Sequence, residues 1–76
     1  MNKKIQKVMA QAFEIPEDQI NINSSLDTLE NWDSIHHLRM IVFLEREFDI
    51  VIPDEKVGNM INYKLINSVI NECINK

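Results

Sequence analysis

Apolar residues recur near the start of the chain with the period of a helix. Ile5, Val8, Met9, Ala12 and Phe13 fall at i, i+3, i+4, i+7 and i+8, one stripe of an amphipathic helix. Asn2 is placed to cap it, and Pro16 disfavours helical geometry at Ile15, so the pattern predicts a first helix ending near Glu14. From Ile15 to Trp32 the pattern lapses into a polar connection, with Ile20, Ile22, Leu26 and Leu29 as apolar anchors. Ile20-Asn21-Ile22-Asn23 alternates with the period of a strand, but no partner strand is visible. An ordered loop pinned by those four residues is expected, with one turn between Ser25 and Leu29. A loop of this length in a small chain points to a job or to some helix of its own.

The strongest pattern follows. Asp33 suits an N-cap, because its carboxylate can accept from first-turn N–H groups, and a helix is predicted from Ser34 to Phe48. Placed at 100° intervals, Met40, Ile41, Leu44 and Phe48 share one face with His37. Ile35, Leu38 and Val42 share another, beside Arg39, Glu45 and Arg46. One core stripe explains the first set. The second set is either covered by the long loop or exposed for a partner. Asp49 and Ile50 break the helix, Ile52 anchors the chain, and Pro53 opens a short helical turn with Asp54 and Glu55 at its positive end. Val57 and Met60 are expected to point inward, and Gly58-Asn59 to weaken the segment. Asn62 caps a last helix, Tyr63 to Ile74, whose core stripe is Ile66, Val69, Ile70, Cys73 and Ile74. The predicted fold is all-α: a small four-helix bundle of three main helices and one short third helix, with a long loop between the first two. Residues 1–76 form one domain.

Composition narrows the partners. With 45% hydrophobic residues among 76, the chain can hold a small core and is not a disordered tail. Twelve acidic against eight basic residues give a formal charge of −4, which argues against nucleic acid or anionic lipid as the main partner and favours a basic protein surface. A single cysteine, Cys73, cannot form an internal disulfide, so a reducing compartment, the cytoplasm, is expected. The N-terminus leads into an amphipathic pattern and reads as no signal peptide, and no stretch is long enough to span a membrane. One glycine and two prolines disfavour strand-rich architectures built on tight turns.

The candidate chemistry centres on Ser34. As the first helical residue after a cap, its hydroxyl lies at the positive end of the helix dipole, where a phosphate is well received. Asp33, Ser34 and His37 also invite a hydrolase reading, but neighbours on one helix do not readily align base and nucleophile, and no glycine-rich turn offers an oxyanion hole. His36 and His37 point apart on a helix, which disfavours a shared metal; a solvated or partner-facing His36 and a half-buried His37 are expected. Trp32 is read as a packing anchor, and Cys73 as a buried, inert thiol. The acids around Asp54 and Glu55 lack the alternating oxygens and central glycine of a calcium loop.

These residues in this order resemble the acyl carrier protein family over nearly the whole chain. Asp33-Ser34-Ile35 is similar to the family's Asp-Ser-Leu attachment motif, with a conservative change. A first helix and long loop precede the serine by the usual distance. Leu38 through Glu45-Arg46-Glu47-Phe48 resembles the family's second helix, and Asp49-Ile50-Val51-Ile52-Pro53-Asp54-Glu55 its segment leading into a short third helix. The resemblance implies a 4′-phosphopantetheine arm, moved from coenzyme A onto Ser34 by a phosphopantetheinyl transferase. Asp33 then serves as cap and recognition element, and the domain performs no catalysis. It implies acyl-loading and acyl-using enzymes as partners, docked over Ile35, His36, Leu38, Arg39, Val42 and Arg46, with the carrier a monomer. The chain departs from the family's pattern there. His36 and His37 follow Ile35, and Arg39 and Arg46 add positive charge where carriers of fatty acid synthesis are acidic, which implies a specialised fatty-acid, polyketide or related pathway. Trp32 replaces the common glycine or alanine. An aminoacyl or peptidyl carrier and an unmodified interaction module with the carrier fold are the alternatives.

Overall fold

The computed structural model describes residues 1–75. Four α-helices follow in order: α1 (Lys3–Phe13), α2 (Ser34–Phe48), α3 (Asp54–Val57) and α4 (Tyr63–Ile74), with a single 3₁₀ turn, Glu17–Gln19, after α1. Among the described residues no helix is long and apolar enough to cross a membrane.

Each long helix starts where a side chain can stand in for a missing helical acceptor. Asn2 accepts from the N–H groups of Lys4 and Ile5, Asp33 from that of His36, and Asn62 from that of Leu65. The ends of α1 and α2 are also alike. Glu14 (φ 58°) and Asp49 (φ 52°) both turn into the left-handed region, and their N–H groups close on Ala10 O and Glu45 O. Neither is glycine, so each end carries backbone strain on the order of 1 kcal/mol. Pro53 ends its extended segment at ψ 141° and α3 begins at once, with Asp54 and Glu55 in its first turn.

The core is the stripe expected of α1 (Ile5, Val8, Met9, Ala12, Phe13) set against Met40, Ile41 and Leu44 of α2 and Ile66, Val69 and Ile70 of α4. Ile20, Trp32, Ile52, Met60 and Tyr63 close it from the connections and the start of α4. Phe48 and Val57 pack at its margin. Three expectations need correction. Ile22 and Leu26 do not anchor the long loop; they are about half exposed, as is Ile74. Ile20 and Leu29 do pack on the core as expected, and hydrogen bonds add to their hold on the loop. Gln6 Nε2 donates to the carbonyls of Glu17 and Ile20, Asn31 Nδ2 donates to Phe13 O at 2.8 Å, and the N–H of Leu26 donates to Ile61 O at 2.9 Å. Ser25 and Asn62 form an isolated antiparallel bridge there, and the expected turn forms between Ser25 and Leu29. Ile74 lies about 80° round α4 from Ile66, at the edge of the stripe. Cys73 is only partly buried.

Candidate functional site

Everything around Ser34 is positioned from the loop side. Trp32 is the last anchor before α2, only 6% exposed. Its ring lies 4.7 Å from that of Phe13, tilted by 38°, while Asn31 is tied to the end of α1 just upstream. This fixes where Asp33 begins the helix. Its Oδ1 accepts from the N–H of His36 at 2.9 Å and from His36 Nδ1 at 2.7 Å. The backbone bond from His36 is the largest cause, and the imidazole bond the next, that holds the Asp33 carboxyl below the usual aspartate range. Ser34, the first residue of α2, is exposed.

Beside Ser34 opens a groove of about 370 Å³, bounded by Leu26, Trp32, Asp33, His37, Leu38, Gly58 and Ile61. Its wall is mostly apolar, and the polar atoms of the wall are largely spent on one another. Trp32 Nε1 donates to His37 Nδ1 at 2.9 Å, which makes Nδ1 an acceptor and leaves the ring proton on Nε2. Nε2 then donates to Val57 O at 2.7 Å. Both nitrogens of His37 are thus committed, and neither is bonded to Ser34, so the pair lacks the base–nucleophile contact of a hydrolase.

The outer face of α2 is open. Ile35 is 69% exposed, Leu38 58% and Val42 43%, so the long loop does not cover them. With Leu26 and Ile61 on the groove rim they make an apolar margin that starts next to Ser34. The charges expected on this face are largely turned aside. Arg39 lies 3.7 Å from Glu14 at the end of α1, and His36 Nε2 reaches the same carboxylate at 3.7 Å. His36 also stacks over Phe13 and is partly sheltered, so of the two expected settings, solvated or partner-facing, the fully solvated ring is not found. Arg46 borders a shallow hollow with Val8, Gln11, Phe43 and Glu47, towards α1. Glu45 accepts from the N–H of Ile52 at 2.9 Å, which ties the segment before α3 to α2.

The structure therefore brings Asp33, Ser34 and Leu38 around one groove mouth, leaves Ile35 exposed on the outer face of α2, and places His36 and Arg39 on the α1 side, with Arg46 about two turns further along α2. The sequence reading missed the structural roles of Gln6, Asn31 and Glu14. Amide and carboxylate side chains of this kind carry no local signal, since their partners lie on other elements.

No protein-family model matches the chain. An acyl carrier protein of Buchnera aphidicola is 32% identical over 74 residues, covering 97% of this chain and 95% of that protein. An acyl carrier protein of Treponema denticola is 39% identical over 56 residues, covering 74% of this chain and 72% of that protein. Among solved structures, a chain from "The ishigamide ketosynthase/chain length factor" superposes with a TM-score of 0.77 at 20% identity, over 97% of this chain and 93% of that one, a likeness of fold. With a capped helix start at Asp33-Ser34, a groove beside it and a relative matched over nearly its full length, the chain belongs to the acyl carrier protein family.

Proposed function

We propose that this protein carries acyl intermediates as thioesters on a 4′-phosphopantetheine arm attached to Ser34. The observation that carries the reading is the placement of Ser34. An exposed hydroxyl stands at the first position of α2, on the rim of an apolar groove, in a chain of this family.

The residues present fit such a group. A phosphodiester on Ser34 Oγ sits at the positive end of a 15-residue helix. The Asp33 carboxylate next to it opposes the added charge, but it is occupied by two donors from His36, which lowers that cost. When attached, the arm supplies a thiol that holds the acyl group. The chain's own residues hold and present. Asp33 fixes the helix start and offers its carboxylate to the transferase. Trp32 and Asn31 keep the loop from swinging, and the groove gives the arm an apolar surface to lie on. Tethering replaces tight binding with effective concentration, on the order of millimolar for a short flexible link.

On this reading residues 1–76 act as one non-catalytic, monomeric carrier domain in the cytoplasm. It is modified by a phosphopantetheinyl transferase and visited by acyl-loading and acyl-using enzymes of a specialised fatty-acid, polyketide or related pathway. Partners dock over Ile35, Leu38 and Val42, with His36, Arg39 and Arg46 at the edge. The test is intact mass after incubation with coenzyme A and a broad-specificity transferase. Wild type gains one phosphopantetheine and Ser34→Ala gains none. A wild-type protein that gains no mass, or a Ser34→Ala variant that does, overturns the reading.

A further inference from the structure

His36 is the third residue of α2, a position from which a side chain can reach back over the helix start. A glutamate or glutamine there turns to the backbone N–H of the cap. The His36 ring turns to the cap's carboxylate instead, with Nδ1 2.7 Å from Asp33 Oδ1. A carboxylate only accepts, so Nδ1 carries the proton of this bond. The N–H of His36 already donates to the same oxygen at 2.9 Å. The backbone bond alone caps the helix, and the ring adds a second donor that fills Oδ1.

The ring is held in place from α1. It stacks over the buried Phe13, with centroids 6.5 Å apart and planes 29° from parallel. Glu14 Oε2 faces Nε2 from the far side at 3.7 Å. Glu14 is placed by the left-handed turn that ends α1, and its other oxygen faces Arg39 Nη1 at 3.7 Å. Contacts this long and exposed hold little alone, so the stack supplies most of the hold. The His36 side chain is 20% exposed, while that of Asp33 is 61% exposed and within a partner's reach.

We propose that His36 is a positioning residue that fixes which oxygen of Asp33 a partner can take. The proposal rests on the carrier reading, in which a transferase reads the Asp33 carboxylate. With Oδ1 filled by two donors, Asp33 offers Oδ2. A guanidinium that forks onto both oxygens must first turn the ring away. A single ammonium docks without moving it. The ring thus selects among basic partners by the side chain they bring, and the end of α1 takes part in that choice.

The test is the kinetics of Ser34 loading by a phosphopantetheinyl transferase with an arginine at its carboxylate-binding position, beside its Arg→Lys form. His36→Ala lowers KM for the arginine enzyme by about two- to tenfold, the worth of one hydrogen bond, with kcat within about twofold. KM for the lysine form changes by less than about twofold. His36→Gln, whose amide can make the same bond, restores the wild-type KM. A merely structural role gives the opposite sign, a higher KM or lower kcat with both enzymes. A KM unchanged or raised for the arginine enzyme, or an equal fall with both, overturns the proposal. A second arm follows the Asp33 carboxyl carbon by NMR titration in the unmodified full chain. Its pKa is lowered first by the backbone bond, which every variant keeps, and next by the ring. The midpoint moves up in His36→Ala and back in His36→Gln; an unmoved midpoint overturns the ring's hold on Asp33. If His36→Ala does not fold, an unmoved midpoint in His36→Phe, which keeps a ring over Phe13, overturns it. If no protein loads Ser34, the carrier reading fails and the titration alone decides whether His36 holds Asp33.

Discussion

Trp32 is the sharpest place to test how the loop positions the attachment serine. It is 6% exposed, lies 4.7 Å from the Phe13 ring and donates to His37. Replacing it with alanine removes a buried indole between α1 and α2 and leaves a cavity that rigid neighbours cannot fill, a loss of about 3–5 kcal/mol. A domain of 76 residues has roughly 4–11 kcal/mol in total, so Trp32→Ala takes away a large share of it or all. At about 4–8 °C per kcal/mol, Tm falls by roughly 12–40 °C. Trp32→Phe keeps an aromatic ring on Phe13 but loses the donor to His37, for a cost of about 1–2 kcal/mol. Circular dichroism at 222 nm during thermal and urea unfolding reads both variants, since the only tryptophan has been removed. The expected order is wild type, then Trp32→Phe, then Trp32→Ala, with transferase loading of Ser34 kept in the phenylalanine variant below its Tm. A Trp32→Ala protein within about 1 kcal/mol of wild type would show that the loop is held by its hydrogen bonds alone, and the anchor argument would fail.

Three further outcomes follow from the same geometry. The Asp33 carboxyl is held below the usual aspartate range by His36, so its folded-state pKa is lower than its unfolded one. Its contribution to stability is full above the unfolded value and is lost as pH falls through the folded value. Urea midpoints of wild type and Asp33→Asn, which keeps a capping oxygen, differ at about pH 6 and converge towards about pH 2; a constant gap across that range rules the linkage out. On the outer face of α2, Leu38 is open while Arg39 is turned onto Glu14. Leu38→Asp should therefore weaken transfer by the native partner about tenfold or more with little loss of stability. The double change of Arg39 and Arg46 to Glu should improve transfer by fatty-acid-type enzymes and impair the native partner, and kinetics unaltered by either set would exclude this face from docking.

The helices were legible because their signals are local. The caps at Asn2, Asp33 and Asn62 act within one turn, and the apolar period decides which face turns inward. Ser34 and its cap were therefore placed on α2 by sequence, and the order of motifs around them pointed to the family. One local signal was read at only one of its two occurrences. Pro53-Asp54-Glu55 predicts a helical turn, and Pro16-Glu17-Asp18 is the same arrangement; it gives a 3₁₀ turn at the start of the connection, where the one expected turn lay further on, between Ser25 and Leu29.

What the tertiary structure alone decided lies in bonds between distant residues. Asn31 meets the end of α1 across 18 positions, His37 meets Val57 across 20, and the Asn2 N–H meets the Tyr63 hydroxyl across 61. A chain rich in asparagine, glutamine and acids offers many such pairings of similar local merit, and only the packed core selects among them. The same packing left Ile22 and Leu26 outside, turned His36 and Arg39 onto Glu14, and bared Ile35, Leu38 and Val42 beside the serine. Sequence determined where the chain is helical and which serine begins α2. Packing decided which faces remain open around it, because burial depends on neighbours that no local window contains.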